Sequence, residues 1–326
     1  MKFSRREFLR LAASAAAVPA LASMGRAQSY PSRPITLIVP FPPGGSTDVV
    51  GRIMAERMRP LLGQPLIIEN VGGAGGSIAL GRVARATPDG YTIDIGQWDT
   101  HVGGIIYNLN YDLQNDFEPV GLMSINPQLM VARKDFPAND LGALVAWMKA
   151  NPGRALLANQ TAAAQTSGIQ LQQLTSTTLQ FIPYRGAGPA LTDLLSGNVD
   201  LMVSQAAAVL PQVRAGTLKA IANLSPRRSQ VIPEIPTAEE AGVPGLYTSG
   251  WFGFFAPKGT PREIITKLNG AMIEALADPA VRTRFAELGI DVAAREQQTP
   301  AGLAAFYKAE VEKWWPIIKA ANIKGE

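Results

Sequence analysis

Short apolar runs alternate with amphipathic stretches along the first part of the chain. Ile35–Phe41 is a β-branched apolar run, which is typical of a buried strand. Thr47–Leu62 then repeats apolar residues at helical spacing, and Gly63-Gln64-Pro65 ends this helix. The same alternation predicts the strands Leu66–Glu69 and Tyr91–Ile95 and a helix over Ile78–Arg85. Strands that alternate with helices predict a mostly parallel sheet with helices on both faces.

A second α/β pattern of similar size begins near residue 129. Its predicted strands are Leu129–Arg133, Ala155–Ala158, Leu179–Pro183, Val199–Val203 and Leu218–Ala222, and its predicted helices are Leu141–Ala150 and segments near residues 166–174, 188–196 and 206–214. A further strand, Trp251–Ala256, and a mostly helical tail from Pro261 to Lys319 follow.

Two α/β units with short crossings near residues 125–130 and 245–255 predict two lobes joined by hinge strands. Residues 28–127 and 250–326 would form the first lobe, because the C-terminal segment would return to it, and residues 128–249 would form the second. One continuous doubly wound sheet is the alternative. The two-lobed shape bears on function, because ligands of open α/β folds bind beyond the carboxyl ends of the strands.

The first 27 residues have the features of an export signal. Ser4-Arg5-Arg6-Glu7-Phe8-Leu9-Arg10 fits a twin-arginine motif, an Ala-rich apolar run from Leu11 to Met24 follows, and Gly25-Arg26-Ala27 is a small-residue cleavage site. The apolar run has about 14 residues, fewer than the roughly 20 needed to span a bilayer. We therefore expect residues 1–27 to be a twin-arginine signal peptide and the protein to be periplasmic. A short amphipathic helix and an uncleaved anchor are the alternatives.

Charge and reactive residues exclude several classes of protein. The whole chain has 30 basic and 26 acidic residues, but the first 27 residues hold five of the bases and one acid, so the remainder is formally neutral. This balance gives no basis for nucleic-acid binding. The chain has no cysteine and one histidine, His101, which excludes thiolate nucleophiles, disulfides and multi-histidine zinc sites. We expect no metal, no cofactor and no catalytic residues, and an enzyme is the remote alternative.

Two glycine-rich turns each follow a predicted strand and precede a predicted helix. The first contains Gly44, Gly45, Ser46 and Thr47, and the second is Asn70-Val71-Gly72-Gly73-Ala74-Gly75-Gly76-Ser77. Glycine lets the backbone approach a ligand, and the first amides of a helix are unpaired and attract anions. Neither turn contains the lysine of a P-loop, the glycine spacing of a dinucleotide fold or a nucleophile elbow. The turns therefore indicate small-anion binding, with tight packing as the alternative.

Several stretches resemble one family of receptors. They are "YPSRPITLIVPFPPGGSTDVVGRIMAERM", "GQPLIIENVGGAGGSIALGRVARATPDGYTI", "YDLQNDFEPVGL", "FIPYRGAGPALTDLLSGNVDLM" and "GTLKAIANLSPRRSQVIPEIPTAEEAGVPG". Together they closely resemble the periplasmic receptors of tripartite tricarboxylate transporters, often called Bug proteins. The resemblance implies an α/β, two-lobed periplasmic-binding-protein type II fold, which holds a small carboxylate in the cleft between its lobes and delivers it to membrane permease subunits.

The resemblance also implies which residues of the first lobe line the cleft. In the family, backbone amides and ordered waters hold a ligand carboxylate at the strand–helix turns. The corresponding residues here are Phe41, Gly44, Gly45, Ser46, Thr47, Asp48, Asn70, Gly75 and Ser77, followed by Trp98, Thr100 and His101 after the third strand. We expect Asp48 to orient its turn or to accept a ligand amine or hydroxyl. His101 either lines the cleft or is a capping or core histidine.

The second lobe departs from the family pattern. The expected turn resembles S-x-G-x-G-S/T-x-x-H, but this chain lacks both glycines and the histidine. Asn159, Gln160, Thr161 and Gln165 would supply side-chain hydrogen bonds instead, unless the helix starts earlier and a neighbouring loop binds the ligand. Tyr184 and Ser204 are further candidates, and Arg185 is either a carboxylate clamp or structural.

The predicted function is that of a solute receptor that closes its lobes on a dicarboxylate or an aromatic acid. An aromatic acid is considered because Trp98 is expected near the mouth of the cleft. The predicted partners are the acid and, transiently, integral membrane transporter subunits, and we expect a monomer that binds no nucleic acid. The alternative is a sensor that presents its closed form to a membrane signalling protein.

Overall fold

The computed structural model describes residues 30–229, 231–248, 250–320 and 322–324 of the chain. The predicted signal peptide, residues 1–27, lies outside the described residues. Within the described ranges, no helix has the length and apolar character that crossing a membrane requires.

Strands and helices alternate along most of the described chain. The strands are β1 (Ile35–Val39), β2 (Leu66–Asn70), β3 (Thr92–Gln97), β4 (Phe117–Ile125), β5 (Gln128–Arg133), β6 (Leu156–Asn159), β7 (Gln180–Pro183), β8 (Leu201–Gln205), β9 (Leu218–Asn223), β10 (Trp251–Pro257) and β11 (Asp291–Val292). The helices are α1 (Ser46–Leu62), α2 (Ser77–Ala84), α3 (Leu141–Ala150), α4 (Ala162–Thr175), α5 (Ala187–Ser196), α6 (Ala206–Arg214), α7 (Arg262–Ala277), α8 (Pro279–Glu287) and α9 (Pro300–Ala320).

The strands form two separate sheets. The first has the order β11-β4-β10-β3-β1-β2, and the second has the order β7-β6-β8-β5-β9. We refer to the parts of the molecule built around these sheets as the first and second lobes. The strands of the first sheet lie within residues 35–125 and 251–292, and those of the second lie within residues 128–223. The lobe bounds expected from the sequence stay a prediction.

Both sheets are mixed, which corrects the expectation of mostly parallel sheets. Strand β1 runs parallel to β2 and β3, and β6 runs parallel to β7 and β8, as helical crossovers require. Strand β10 is antiparallel to β3 and β4, and β5 is antiparallel to β8 and β9. Strands β5 and β10 each enter their sheet from the other sheet rather than through a helix, so a parallel direction is not imposed on them.

The two connections between the sheets lie side by side. Strand β4 ends at Ile125 and β5 begins at Gln128, and the chain returns just before Trp251. The Asn126 N–H donates to the Gly250 carbonyl at 2.6 Å, which joins the two connections. Short paired connections of this kind can act as a hinge between two bodies.

Strand β4 has no counterpart among the strands expected from the sequence. Its sequence, FEPVGLMSI, contains a proline and a glycine, which are depleted in strands. Gly121 is required there, because a Cβ atom would lie 2.4 Å from the Gln298 carbonyl oxygen. The strand forms because it pairs with β10 along its whole length, with two irregularities in register.

Aromatic residues of β10 and α9 fill the core of the first lobe. Trp251, Phe252, Phe254 and Phe255 are fully buried on β10. Trp314 of α9 is also fully buried. Helix α9 therefore packs against the first sheet and fixes the loop that follows β3.

Candidate functional site

A cleft of about 670 Å³ lies between loops that follow strands of both sheets. This volume lies within the range of about 300–1,000 Å³ that is usual for small-molecule sites. We call it the main cleft, and its lining residues are Phe41, Pro42, Gly72, Gly73, Ala74, Gly75, Gly76, Tyr107, Asn159, Gln160, Thr161, Gln165, Pro183, Tyr184 and Arg185. A groove of about 870 Å³ is lined, among the described residues, by positions between 270 and 298, all of which lie outside the second lobe.

A smaller cavity of about 30 Å³ adjoins the main cleft and shares Phe41, Pro42 and Thr161 with it. We call it the inner pocket. Its other lining residues are Gly45, Ser46, Thr47, Gln97, Asp99, Gln128, Ala187, Ser204 and Gln205. The two cavities together form one site that is polar at its inner end.

The first glycine turn presents an open helix N-terminus to the inner pocket. Helix α1 begins at Ser46, and its N-cap, Gly45, has no side chain that could cap the first amides. Gly45 has φ −79° and ψ 168°, and only the Pro42 carbonyl oxygen would come within 4.0 Å of a Cβ atom there. The amides at the start of α1 and the hydroxyls of Ser46 and Thr47 can therefore donate to an anion.

Asp48 and Asn70 lie behind this turn and hold its shape. The Gly44 N–H donates to Asp48 Oδ2 at 3.0 Å, and Arg52 pairs with the same carboxylate at 2.9 Å. The Asn70 amide donates to Asp48 Oδ1 and to the Phe41 carbonyl, both at 3.0 Å. Burial opposes ionisation of Asp48, but the hydrogen bonds from Arg52, Gly44 and Asn70 outweigh burial and lower its pKa. Asp48 is therefore an ionised brace of the turn, and neither it nor Asn70 lines the cleft.

The second glycine turn forms one wall of the main cleft. Gly75 has φ +58°, and a Cβ atom there would lie 2.3 Å from the Tyr107 ring. Gly76 has φ +92°, and a Cβ atom there would meet the Thr100 methyl group at 2.7 Å. Glycine is needed at both positions for its backbone conformation and for the close approach. Ser77 begins α2 just beyond the turn and does not line the cleft.

Side chains replace the missing glycines on the second-lobe wall. Asn159, Gln160, Thr161 and Gln165 all line the main cleft. Helix α4 starts at Ala162, earlier than the sequence pattern indicated, and Thr161 caps it by accepting the Ala164 N–H at 3.2 Å. The Gln160 amide donates to the Val203 carbonyl, so this side chain is fixed in orientation.

Tyr184 and Arg185 complete the outer part of the second-lobe wall. The Tyr184 hydroxyl donates to Asp193 at 2.7 Å, which leaves the ring as its contribution to the cleft. Arg185 is exposed and makes no hydrogen bond or ion pair within the part of the chain that the structure describes. Its guanidinium is free to attract an acid.

Two glutamines join the lobes at the inner pocket. The Gln205 amide, at the end of β8, donates to Gln97 Oε1, at the end of β3, at 2.7 Å. The Oε1 atoms of Gln128 and Gln205 are buried and accept no hydrogen bond from any described residue. Buried carbonyl oxygens without donors are unfavourable, so the pocket needs donors from a ligand or water.

Asp99 makes a second connection between the lobes. It lies on a short π-helix (Trp98–Val102) directly after β3, and its Oδ1 accepts the Ala163 N–H in the first turn of α4 at 2.7 Å. Burial raises the pKa of Asp99 to about 6, although the hydrogen bonds from Ala163 and Thr161 partly offset this effect. The carboxylate is mostly ionised at neutral pH and faces the inner pocket.

Trp98 does not lie at the mouth of the cleft, which corrects the expectation from the sequence. Its side chain is fully buried and packs edge-to-face on Trp314, with ring centroids 5.2 Å apart. The π-helix after β3 directs Asp99 toward the cleft and Trp98 into the core. The aromatic surfaces of the cleft are instead Phe41, Tyr107 and Tyr184.

His101 is a core histidine, and it lines neither cavity. Its ring stacks on Phe255 with centroids 4.1 Å apart and is fully buried. Its Nε2 lies 3.7 Å from Asp94 Oδ2, but burial lowers the pKa of His101 to about 3 and raises that of Asp94. Both groups are therefore neutral and do not form an ion pair. Thr100 contacts His101 Nδ1 at 3.1 Å and donates to the Gln97 carbonyl, so it supports the turn.

Several lining residues were not among the sequence candidates. They are Pro42, Gln97, Asp99, Tyr107, Gln128, Pro183 and Ala187. A polar residue next to an apolar run was an available signal for Gln97, the last residue of β3, and for Gln128, the first residue of β5. Nothing in the local sequence indicated Tyr107.

Comparisons with known proteins show the family to which the chain belongs. The model of the tripartite tricarboxylate transporter family receptor matches residues 50–323. Protein BugT of Bordetella pertussis is 36% identical over 313 residues, which cover 94% of this chain and 95% of BugT.

Two solved structures are similar over nearly the whole chain. The periplasmic binding protein BugD is 38% identical with a TM-score of 0.85, covering 90% of this chain and 99% of BugD. MatC from Rhodopseudomonas palustris, solved with bound malate, is 38% identical with a TM-score of 0.83, covering 89% of this chain and 100% of MatC. The predicted type II periplasmic-binding fold is therefore confirmed. The chain belongs to the tripartite tricarboxylate transporter receptor family, the periplasmic solute-binding Bug proteins.

Proposed function

We propose that the protein is a periplasmic receptor that binds one small organic acid between its lobes and delivers it to the membrane subunits of a tripartite tricarboxylate-type transporter. The observation that carries this proposal is the uncapped N-terminus of α1, which opens into the inner pocket beside Gly45. Family membership supports the transporter as partner, and the twin-arginine motif supports export of the folded chain. The proposed role includes no covalent chemistry and no cofactor.

The ligand carboxylate is proposed to bind at the glycine turns of the first lobe. The first amides of α1 carry the positive end of its helix dipole, and the hydroxyls of Ser46 and Thr47 lie beside them. The Gly72–Gly76 turn provides a second stretch of backbone that a ligand can approach closely. Arg185 would raise the local concentration of anions at the outer end of the cleft.

The apolar part of the ligand would lie against aromatic side chains of the main cleft. Tyr107 from the first lobe and Tyr184 from the second line the same cavity, together with Phe41. These rings can contact an aliphatic chain or an aromatic ring, so both kinds of acid fit the proposal. The malate bound to MatC is an example of a small acid in a receptor of this family.

Ligand binding is proposed to favour the closed arrangement of the lobes. The Gln97–Gln205 and Asp99–Ala163 hydrogen bonds cross between the lobes at the inner pocket. A ligand that contacts both walls adds to these contacts only when the lobes are together, so it shifts the population toward closure. A membrane sensor is the second candidate partner, since it could recognise the same closed form of the protein.

A thermal-shift screen of the purified protein against mono-, di- and tricarboxylic acids, with sugars and amino acids as controls, tests this proposal. An acid at 100 times its Kd should add about 2.7 kcal/mol of stability, which corresponds to a rise in Tm of several degrees. Tight binding without turnover supports a receptor, and turnover of a bound acid would establish an enzyme. If only compounds without a carboxylate stabilise the protein, the proposed ligand class is wrong.

A matched pair of glycine variants locates the carboxylate. Gly45→Val should abolish acid binding, because its side chain covers the amides of α1 while its Cβ atom meets no close neighbour. Gly270→Val is the control, since its Cβ atom has no neighbour within 4 Å and it lies on α7, away from the cleft. Unchanged affinity in a folded Gly45→Val protein would rule out the α1 site.

A further inference from the structure

The two lobes present helix N-termini of opposite character to the cleft. In the first lobe, no side chain caps α1, and its first residues, Ser46 and Thr47, line the inner pocket. In the second lobe, the amides of Ala163 and Ala164 in the first turn of α4 are both satisfied, by Asp99 and Thr161 respectively. A ligand anion can therefore bind at the N-terminus of α1. At the N-terminus of α4, the Asp99 carboxylate already occupies the corresponding position.

The carboxylate at α4 comes from the other lobe. Asp99 lies 64 residues before Ala163 in the chain, and only 3% of its surface is exposed. Its Oδ1 approaches the Ala163 nitrogen to 2.7 Å, which is a typical length for a charge-assisted hydrogen bond. The positive end of the α4 dipole stabilises the negative charge at this point. Asp99 therefore occupies the position where a second ligand carboxylate would be best stabilised in this lobe.

Three carboxamide oxygens of the two cavities lack hydrogen-bond donors. The Oε1 atoms of Gln128 and Gln205 are buried in the inner pocket and lack donors from the described residues. Gln160, on the adjoining wall of the main cleft, also has a buried Oε1 without a donor, since its amide is fixed on the Val203 carbonyl. A ligand group that reaches these oxygens must donate hydrogen bonds, and a second carboxylate cannot do so.

We infer that Asp99 is a specificity-determining residue, which makes this receptor prefer acids with one carboxylate and an uncharged hydrogen-bond donor, such as an amide or hydroxyl, over dicarboxylates. The inference rests on the proposed function, because it assumes that an acid binds in this cleft. It narrows that function from organic acids in general to one chemical class. The positive charge of Arg185 does not reverse this preference, because Arg185 lies in the main cleft, is exposed to solvent and does not line the inner pocket.

Pairs of acids that differ only at one end provide the test. Succinamate and succinate, adipamate and adipate, and 4-carbamoylbenzoate and benzene-1,4-dicarboxylate each have the same length, and an amide replaces one carboxylate. Calorimetric titration of the purified wild-type protein should give at least a tenfold lower Kd for the monoamide of the best-binding pair. This comparison requires no variant.

Asp99→Asn then tests the residue itself. Asparagine keeps an oxygen that accepts the Ala163 N–H but removes the charge, so the preference for the monoamide should fall at least tenfold, mainly through tighter binding of the diacid. Asp135→Asn is the control for net charge, because Asp135 is exposed on the second lobe and lines neither cavity. The control should leave the preference unchanged.

The outcomes separate this inference from the proposed function. If wild-type protein binds a diacid as tightly as its monoamide, or if Asp99→Asn leaves the ratio of the two Kd values unchanged, acid binding stands and the role of Asp99 is wrong. If no acid of any class binds, both the proposed function and the inference are wrong.

Discussion

Replacing Asp99 with asparagine should stabilise the protein at neutral pH, although it removes a charged group from a hydrogen bond. Burial raises the pKa of Asp99 from the ordinary 3.8 to about 6. A carboxyl whose pKa is raised on folding stabilises the folded protein most at pH values below its unfolded pKa. This stabilisation is lost as the pH rises through its pKa in the folded protein. The difference between 3.8 and about 6 corresponds to a total loss of about 3 kcal/mol, most of which occurs between pH 4 and pH 7.

Urea denaturation at a series of pH values measures this effect directly. Asparagine does not titrate, and its oxygen keeps the bond to Ala163. The free energies of unfolding of the variant and the wild type should therefore be similar near pH 4, and the variant should be more stable by about 3 kcal/mol above pH 7. Asp48→Asn provides a contrast, because the pKa of Asp48 is lowered, and this variant should lose stability above pH 4.

Two results would refute the reasoning about Asp99. One is a stability difference that does not change between pH 4 and pH 8, which would mean that the carboxyl titrates normally in the folded protein. The other is a variant that is less stable than the wild type at pH 8, which would mean that the charged hydrogen bond to α4 outweighs the cost of burial.

Two further predictions test the first-lobe core. Trp314→Ala should lower the free energy of unfolding by about 3–5 kcal/mol, because removing a fully buried indole that packs on Trp98 leaves a cavity. Urea denaturation measures this loss, and a loss below about 1 kcal/mol would contradict the packing at this site. His101 should stay neutral from pH 8 to pH 5, since burial lowers its pKa to about 3. NMR can follow this ring without assignment because the chain has one histidine, and a midpoint near 6.5 would contradict its burial.

Elements with strong local signals were predicted closely from the sequence. Helix α3 has the predicted bounds, Leu141–Ala150, because Asp140 caps its start by accepting the Ala143 N–H at 2.7 Å and a proline and glycine follow its end. The glycine turn before α1 was also predicted, because its signals are local. Its glycines, the Ser46–Thr47 start and the apolar periodicity are all adjacent in the sequence.

Elements that depend on distant partners were not predicted. Strand β4 contains Pro119 and Gly121 and forms because it pairs with β10, more than a hundred residues later. The direction of Trp98 depends on the π-helix and on Trp314. A short sequence pattern contains neither of these relations.

The second-lobe part of the site shows the same limit. The absence of glycines led to the prediction that side chains bind the ligand at this wall, and Asn159, Gln160, Thr161 and Gln165 line the main cleft there. The sequence did not indicate that Asp99 from the other lobe occupies the start of α4. Only the fold brings Asp99 and the start of α4 together. This contact leads us to expect a ligand with one carboxylate, whereas the sequence left a dicarboxylate as a candidate.

The most direct test of the central claim is to follow the backbone amides of Ser46 and Thr47 by NMR while the best-binding acid is added. A carboxylate at the N-terminus of α1 should shift both amide proton signals strongly downfield, in proportion to the bound fraction, and the Gly45→Val variant should show no such shift. If the acid binds but both signals stay unchanged, the carboxylate binds elsewhere and the proposed first-lobe site is wrong.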